Sequence, residues 1–244
     1  MLQDNRGYQN TFQENTQSAS LVKTFMSRVF AWMFLALAST ALTAYIFAGS
    51  PSLMGLLVNQ QTGGMSILGW VVMLAPLGFV MLMSFKFQSL SRNTMLLLFI
   101  TFSVLMGMSL SFILLAYTSA SVFSTFVVTS GTFGLMAVIG YTTSTDLTKF
   151  GSILMMGLIG IILASVVNFF MGSATLEYII SILGVLIFTG LTAYDVQKLK
   201  NIGMQIGPYQ GASADKLAIM GALTLYLDFI NLFLFLLRFM GNRK

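Results

Sequence analysis

The sequence predicts an all-α polytopic membrane protein built as a seven-helix transmembrane bundle. Three observations lead there. Hydrophobic residues make up 57% of the 244 residues against 8% charged, with a mean hydropathy of +0.87; a chain so composed cannot cover itself with polar surface, so lipid must solvate it. Seven apolar segments each approach the ~20 residues that a bilayer core requires. In lipid, backbone polar groups must be satisfied internally, which makes the helix the viable element at this length.

Residues 1–20 are rich in Gln, Asn, Ser and Thr without apolar periodicity, and predict a disordered polar tail before a transmembrane domain over 21–244. They lack the charged-then-apolar pattern of a cleaved signal peptide. The spans follow at about 29–48, 67–85, 94–117, 121–141, 152–171, 177–194 and 217–239. The third and fourth almost touch, which implies a tight hairpin. Small residues recur every fourth position in three spans: Ala36, Thr40 and Ala44; Ser103, Gly107 and Ser111; Gly160, Ala164, Asn168 and Gly172. Such seams let helix backbones approach closely and are read as packing.

Lys and Arg set the orientation. Arg6, Lys23, Arg28, Lys86, Arg92, Lys149, Lys198, Lys200 and Lys216 would share one side, and only Arg238, Arg243 and Lys244 the other. The positive-inside rule therefore places the N-terminus of this multi-pass protein in the cytoplasm; the membrane expected is the inner (plasma) membrane for a bacterial chain and an internal one for a eukaryotic chain. The three C-terminal cations count against an outside C-terminus, and a six-span chain with a re-entrant last segment is the alternative.

Several function classes drop out. Without cysteine or histidine there are no disulfides, Ser-His dyads or common zinc sites. No cofactor is expected. The basic residues form no patch with interleaved aromatics, so nucleic acid is not an expected partner.

What remains is a costly carboxylate. Asp228 lies in the otherwise apolar run 223–238, where an ionisable residue costs roughly 2.5–3.5 kcal/mol on insertion scales. Gly221, Thr224, Asp228 and Asn231 follow helical spacing and form one stripe, which should face inward. Its candidate partner is Asp195, at the end of the sixth span, with Thr192 one turn earlier. At ~1.5 Å per residue, Asp195 lies roughly 11 Å before Ile202 and Asp228 roughly 17 Å beyond Leu217, a difference that tilt can close. The competing readings are hydrogen-bonded glue for Asp228 and an interfacial pair with Lys198 or Lys200 for Asp195. If the carboxylates meet, they share a proton and respond to pH without any histidine. Two carboxylates supply at most four of the six to eight oxygens calcium prefers, so Thr192, Thr224, Asn231, carbonyls or water would complete a weak, transient shell. Lys86 either reaches inward to a carboxylate or snorkels to the headgroups. Other charges read simply: Glu177 at a helix N-terminus, Asp146 paired with Lys149, Asp215 opening the last helix.

Through Tyr194-Asp195-Val196-Gln197 and the last-helix run around Tyr226, Asp228 and Asn231, the chain resembles the Bax inhibitor-1 family of multi-pass membrane proteins. The resemblance covers nearly the whole chain. It implies seven helices with the last one central, and a pH-sensitive calcium leak. It also implies that Asp195 and Asp228 form the pH-sensing pair, attended by a basic residue of the second span. Here that residue is Lys86, a point charge where arginine would offer a fork. The function expected is thus a calcium or cation leak channel in the lipid bilayer, and not an enzyme. The alternatives are a non-transporting regulator of membrane proteins or membrane proteases, and an intramembrane aspartyl protease. Against the protease, the residues preceding Asp228 (Leu225, Tyr226 and Leu227) include no glycine.

Overall fold

The computed structural model describes residues 2–59, 64–206 and 211–244, with side chains from residue 20 onward except at 212. Among these residues there are eight helices: α1 (Leu2–Gly49), α2 (Pro51–Leu57), α3 (Ile67–Phe85), α4 (Arg92–Ala116), α5 (Ser119–Thr142), α6 (Thr148–Met171), α7 (Ala174–Ile206) and α8 (Ala212–Met240). Seven are long and apolar enough to cross a bilayer. The last segment is one continuous helix of 29 residues, long enough for a full span rather than a re-entrant loop.

Two elements differ from the sequence expectation. Residues 2–20, expected as a disordered tail, are helical backbone continuous with the first span, which itself begins at Ser20. Extending a nucleated helix fixes one residue per new hydrogen bond, so a polar stretch without proline is readily recruited. Short α2 is additional. Ser50 caps it by accepting from Leu53 N–H, and Pro51 occupies its first turn, where a missing N–H costs nothing.

α8 sits at the centre. It packs against α1, α4, α5 and α7, and 67% of its apolar window is buried, against 6% for peripheral α6. The first two small-residue seams meet each other. A Cβ on Gly107 would lie 2.6 Å from Thr40 O and 2.7 Å from Thr43 Cβ, so glycine is what allows α1 and α4 to touch. The third seam differs: Gly160 has open space beside it, and Gly172 ends α6 at φ 64°. Four-residue spacing identifies a face but not whether a neighbour covers it.

Where α1, α4 and α8 meet, a polar chain crosses the core. Thr40 Oγ1 donates to Ser103 O at 2.8 Å. Its single proton is thereby used, so the Tyr226 hydroxyl, 2.7 Å away, is the donor to Thr40. Tyr226 is fully buried and meets Phe99 and Phe102 edge-on, with centroids 6.3 and 5.3 Å away.

The ends of α8 are also held. At its N-terminal end, Asp215 accepts from Arg28 of α1 at 2.8 Å and pairs with Arg92 of α4 at 3.0 Å. Both arginines are half-exposed, so solvent screens the attraction. Asp215→Asn is expected to cost no more than about 1 kcal/mol, and less at high salt. Thermal denaturation in detergent at low and high salt checks this; a cost that ignores salt would mean the ties are not ionic.

At the same end of the bundle, Asp146 is held chiefly by hydrogen bonds, with the charge of Lys149 a smaller influence. It accepts from Thr148 Oγ1 at 2.6 Å and Thr148 N–H at 2.9 Å, opening α6. These bonds hold its carboxyl below the usual carboxylate range. Its stabilising contribution is therefore present above the unfolded-state value and fades as pH falls through the lower folded one.

Candidate functional site

The site is assembled from the two most buried spans. On α7, Ser181, Gly184, Phe188, Thr192 and Asp195 fall at helical spacing on one buried stripe. Gly184 leaves room for Phe235 of α8. On α8, Gly221 and Asp228 are buried, while Thr224 and Asn231 on the same stripe are partly so. The two stripes face one another, and the Asp195 and Asp228 carboxyl groups come within hydrogen-bonding reach. Asp195 is 9% exposed and Asp228 5%, so neither is a headgroup-level ion.

The neighbouring hydroxyls are already committed. Thr192 Oγ1 donates to Phe188 O at 2.8 Å, and Thr224 Oγ1 to Met220 O at 3.1 Å. Each has only one proton, so neither hydroxyl can also donate to a carboxyl. Asp228 Oδ2 is correspondingly buried without a donor. An orphaned carboxylate oxygen in an apolar interior is costly.

The charge acting on Asp195 from outside the pair is Lys198, one turn along α7, whose Nζ lies 5.9 Å from the Tyr194 ring centroid. Lys86 is exposed at the C-cap of α3, a helix that packs against α2 and α4. Tyr194 turns from the pair onto Gly151 of α6.

Other partners were not evident from the sequence. Lys198 and Lys200 lie on helix, because α7 continues to Ile206. Lys200 Nζ donates to Tyr141 O at 2.7 Å. Gln197 is buried; its amide donates to Thr145 O and its carbonyl accepts from Leu147 N–H, both at 2.8 Å. The helix bearing Asp195 thus also fixes the α5–α6 connection. Only the short distance from Gln197 to Asp195 in the sequence hinted at this.

The model of the family described as "Inhibitor of apoptosis-promoting Bax1" matches residues 22–244. The chain belongs to the Bax inhibitor-1 family. Among its relatives, the "Inner membrane protein YbhL" of Escherichia coli (strain K12) is 48% identical, over 91% of this chain and 93% of its own length. An uncharacterised protein of Borreliella burgdorferi is 42% identical over 95% and 97%. An uncharacterised membrane protein of Streptococcus pyogenes serotype M1 is 34% identical over 93% and 96%. The family match takes in the seven spans, but for the first two residues of the first, and both Asp195 and Asp228.

Proposed function

We propose that this Bax inhibitor-1 family protein is a cation leak of the bacterial inner membrane, with calcium as its cargo, governed by the proton shared between Asp195 and Asp228. The observation that carries the reading is the approach of two buried carboxyls, one of which, that of Asp228, also has an oxygen without a donor. Two ionised carboxylates in contact in a poor dielectric repel strongly. With one proton between them they tie α7 to α8; when it leaves, either the helices separate or a cation replaces it. Calcium takes oxygen ligands, and the lone pairs of Thr192 and Thr224, with Asn231 and water, would supplement the carboxylates. The shell is sparse, which favours passage over tight binding. The pair thus serves conduction, not hydrolysis.

The orientation proposed has the N-terminus in the cytoplasm. It rests on the distribution of lysine and arginine, nine on the N-terminal side against three on the other. Local pairing does not separate the two sets: Arg238 and Arg243 pair with Glu177 at 3.8 and 3.3 Å, as Arg28 and Arg92 pair with Asp215.

The test is calcium flux into proteoliposomes stepped from about pH 6 to about pH 8. Native flux is expected to rise with pH as the shared proton is lost. Asp228→Asn keeps a hydrogen bond to Asp195 but cannot ionise, so its flux should stay low at every pH. Native flux equal to that of empty liposomes would remove the channel. Flux that ignores both pH and substitution would keep a channel but remove the pair from its control.

A further inference from the structure

The buried face of α5 carries a second polar feature that the carboxyl pair does not explain. Ser121, Thr125 and Thr129 follow one another at four-residue spacing, and all three are buried. α5 packs this face against α7 and α8. The Thr129 hydroxyl donates to Thr125 O at 2.7 Å, and Ser121 Oγ accepts from Thr118 Oγ1 at 3.0 Å. Thr125 Oγ1, by contrast, is buried with no partner, in a residue that is 0% exposed. The carbonyl one turn back, Ser121 O, is taken by Ser124 Oγ at 3.2 Å. A valine here would fill the same space without a stranded hydroxyl. Along the same α5–α8 contact, Phe229, the neighbour of Asp228, meets Phe133, one turn beyond Thr129, at 5.5 Å. The hydroxyl row therefore runs from the end bearing the C-terminus towards the depth of the carboxyl pair.

That end is strapped. Asn242 N–H donates to Ser121 Oγ at 2.9 Å, and Thr118 N–H to Asn242 O at 3.1 Å. Arg243 forms an antiparallel bridge with Tyr117, and Lys244 N–H donates to Ala116 O at 2.9 Å. Three consecutive residues after α8 thus bind the α4–α5 connection directly over the first hydroxyl of the row.

We propose that Ser121, Thr125 and Thr129 line the outer access route to the carboxyl pair for water and a cation, and that residues Asn242–Lys244 are the strap that closes it. The outward sense of the route rests on the leak reading above. Hydroxyl oxygens at one-turn intervals are suited to handing on a hard cation that has shed part of its water. Seated water or cation also gives the Thr125 hydroxyl its partner.

The absence of cysteine makes the route directly testable, since any introduced thiol is unique. Silver ion, a thiol-reactive cation, is applied from the outside to proteoliposomes bearing Thr125→Cys. Two forms are compared: the full chain, and one ending at Gly241. Removing the strap is expected to speed reaction at least ~10-fold by opening a locally closed segment, with Ala174→Cys, exposed at the start of α7 on the same side, unchanged. Asn242→Pro deletes the N–H that reaches Ser121 without shortening the chain. It should give the same direction of change if truncation impairs folding. Equal rates with and without the strap, or equal acceleration at Ala174→Cys, would overturn the proposal. Calcium flux measured on the native chain separates the route from the leak. Accelerated labelling of the strapless Thr125→Cys form with native flux no higher than that of empty liposomes would keep the route and sink the leak, whereas native flux without accelerated labelling would do the reverse.

Discussion

Gly140→Leu is expected to be among the most damaging single substitutions in the chain, lowering stability by about 3 kcal/mol or more. A Cβ at 140 would fall on the carbonyl oxygen of Ala193, with the carbonyl carbon at 2.8 Å and Cα at 2.9 Å. The obstacle is backbone, which cannot swing aside like a side-chain tip, so α5 and α7 must separate. Ala193 is two residues from Asp195, and the displacement would reach the carboxyl pair. For a chain of this size the loss corresponds to a fall of roughly 6–12 °C in melting temperature. Gly131→Leu is the internal control, because a Cβ there meets nothing within 4 Å on the same helix. It should stay within about 0.5 kcal/mol of the native chain. Thermal unfolding of both variants in detergent checks the contrast; equal losses would mean that general crowding of α5, not its contact with Ala193, matters.

Tyr226→Ala should cost about 3–5 kcal/mol, because it opens a cavity in a core whose other walls are Phe99 and Phe102. In lipid, helices associate largely through such packing, so a void is not offset by a stronger drive elsewhere. Tyr226→Phe keeps the ring and removes only the donor to Thr40, for about 1 kcal/mol. Thr40→Val should fall between the two, at about 1–3 kcal/mol. It strands the Tyr226 hydroxyl in an apolar setting and takes the proton from Ser103 O. The order Ala, then Thr40→Val, then Phe is readable from chemical unfolding. A Phe variant as weak as the Ala variant would show that the hydroxyl chain, not the ring, holds α8 to α1 and α4.

The spans were legible in the sequence because lipid imposes both length and hydropathy on them. Where a helix outlasts its apolar part, hydropathy alone understates it: α7 runs on through Lys198 and Lys200 to Ile206, as the lack of Gly or Pro before Gly203 leads one to expect. The inward stripe through Asp228 was legible for the same periodic reason, and spacing back to Thr192 and Asp195 identified the facing stripe. Partners brought together only by the tertiary fold left no periodic trace. Asp215 meets Arg28 across 187 residues, and Ser121 meets Asn242 across 121. The seam through Gly160 shows the complementary limit, since equal spacing accompanied a buried face in α1 and an open one in α6.

Tied by Asp215 at one end and by residues Asn242–Lys244 at the other, α8 is a rod clamped at both ends with its reactive carboxyl between the clamps. Sliding it by a single turn, about 5.4 Å, would break both sets of ties at once. Twisting about its own axis, or bowing at mid-length, breaks neither set first. If the shared proton governs passage as proposed, parting Asp228 from Asp195 by a twist or a bow asks less of these ties than a piston stroke would. A helix of constant end-to-end length would then change what its middle presents, with release of the Asn242–Lys244 strap a separate event.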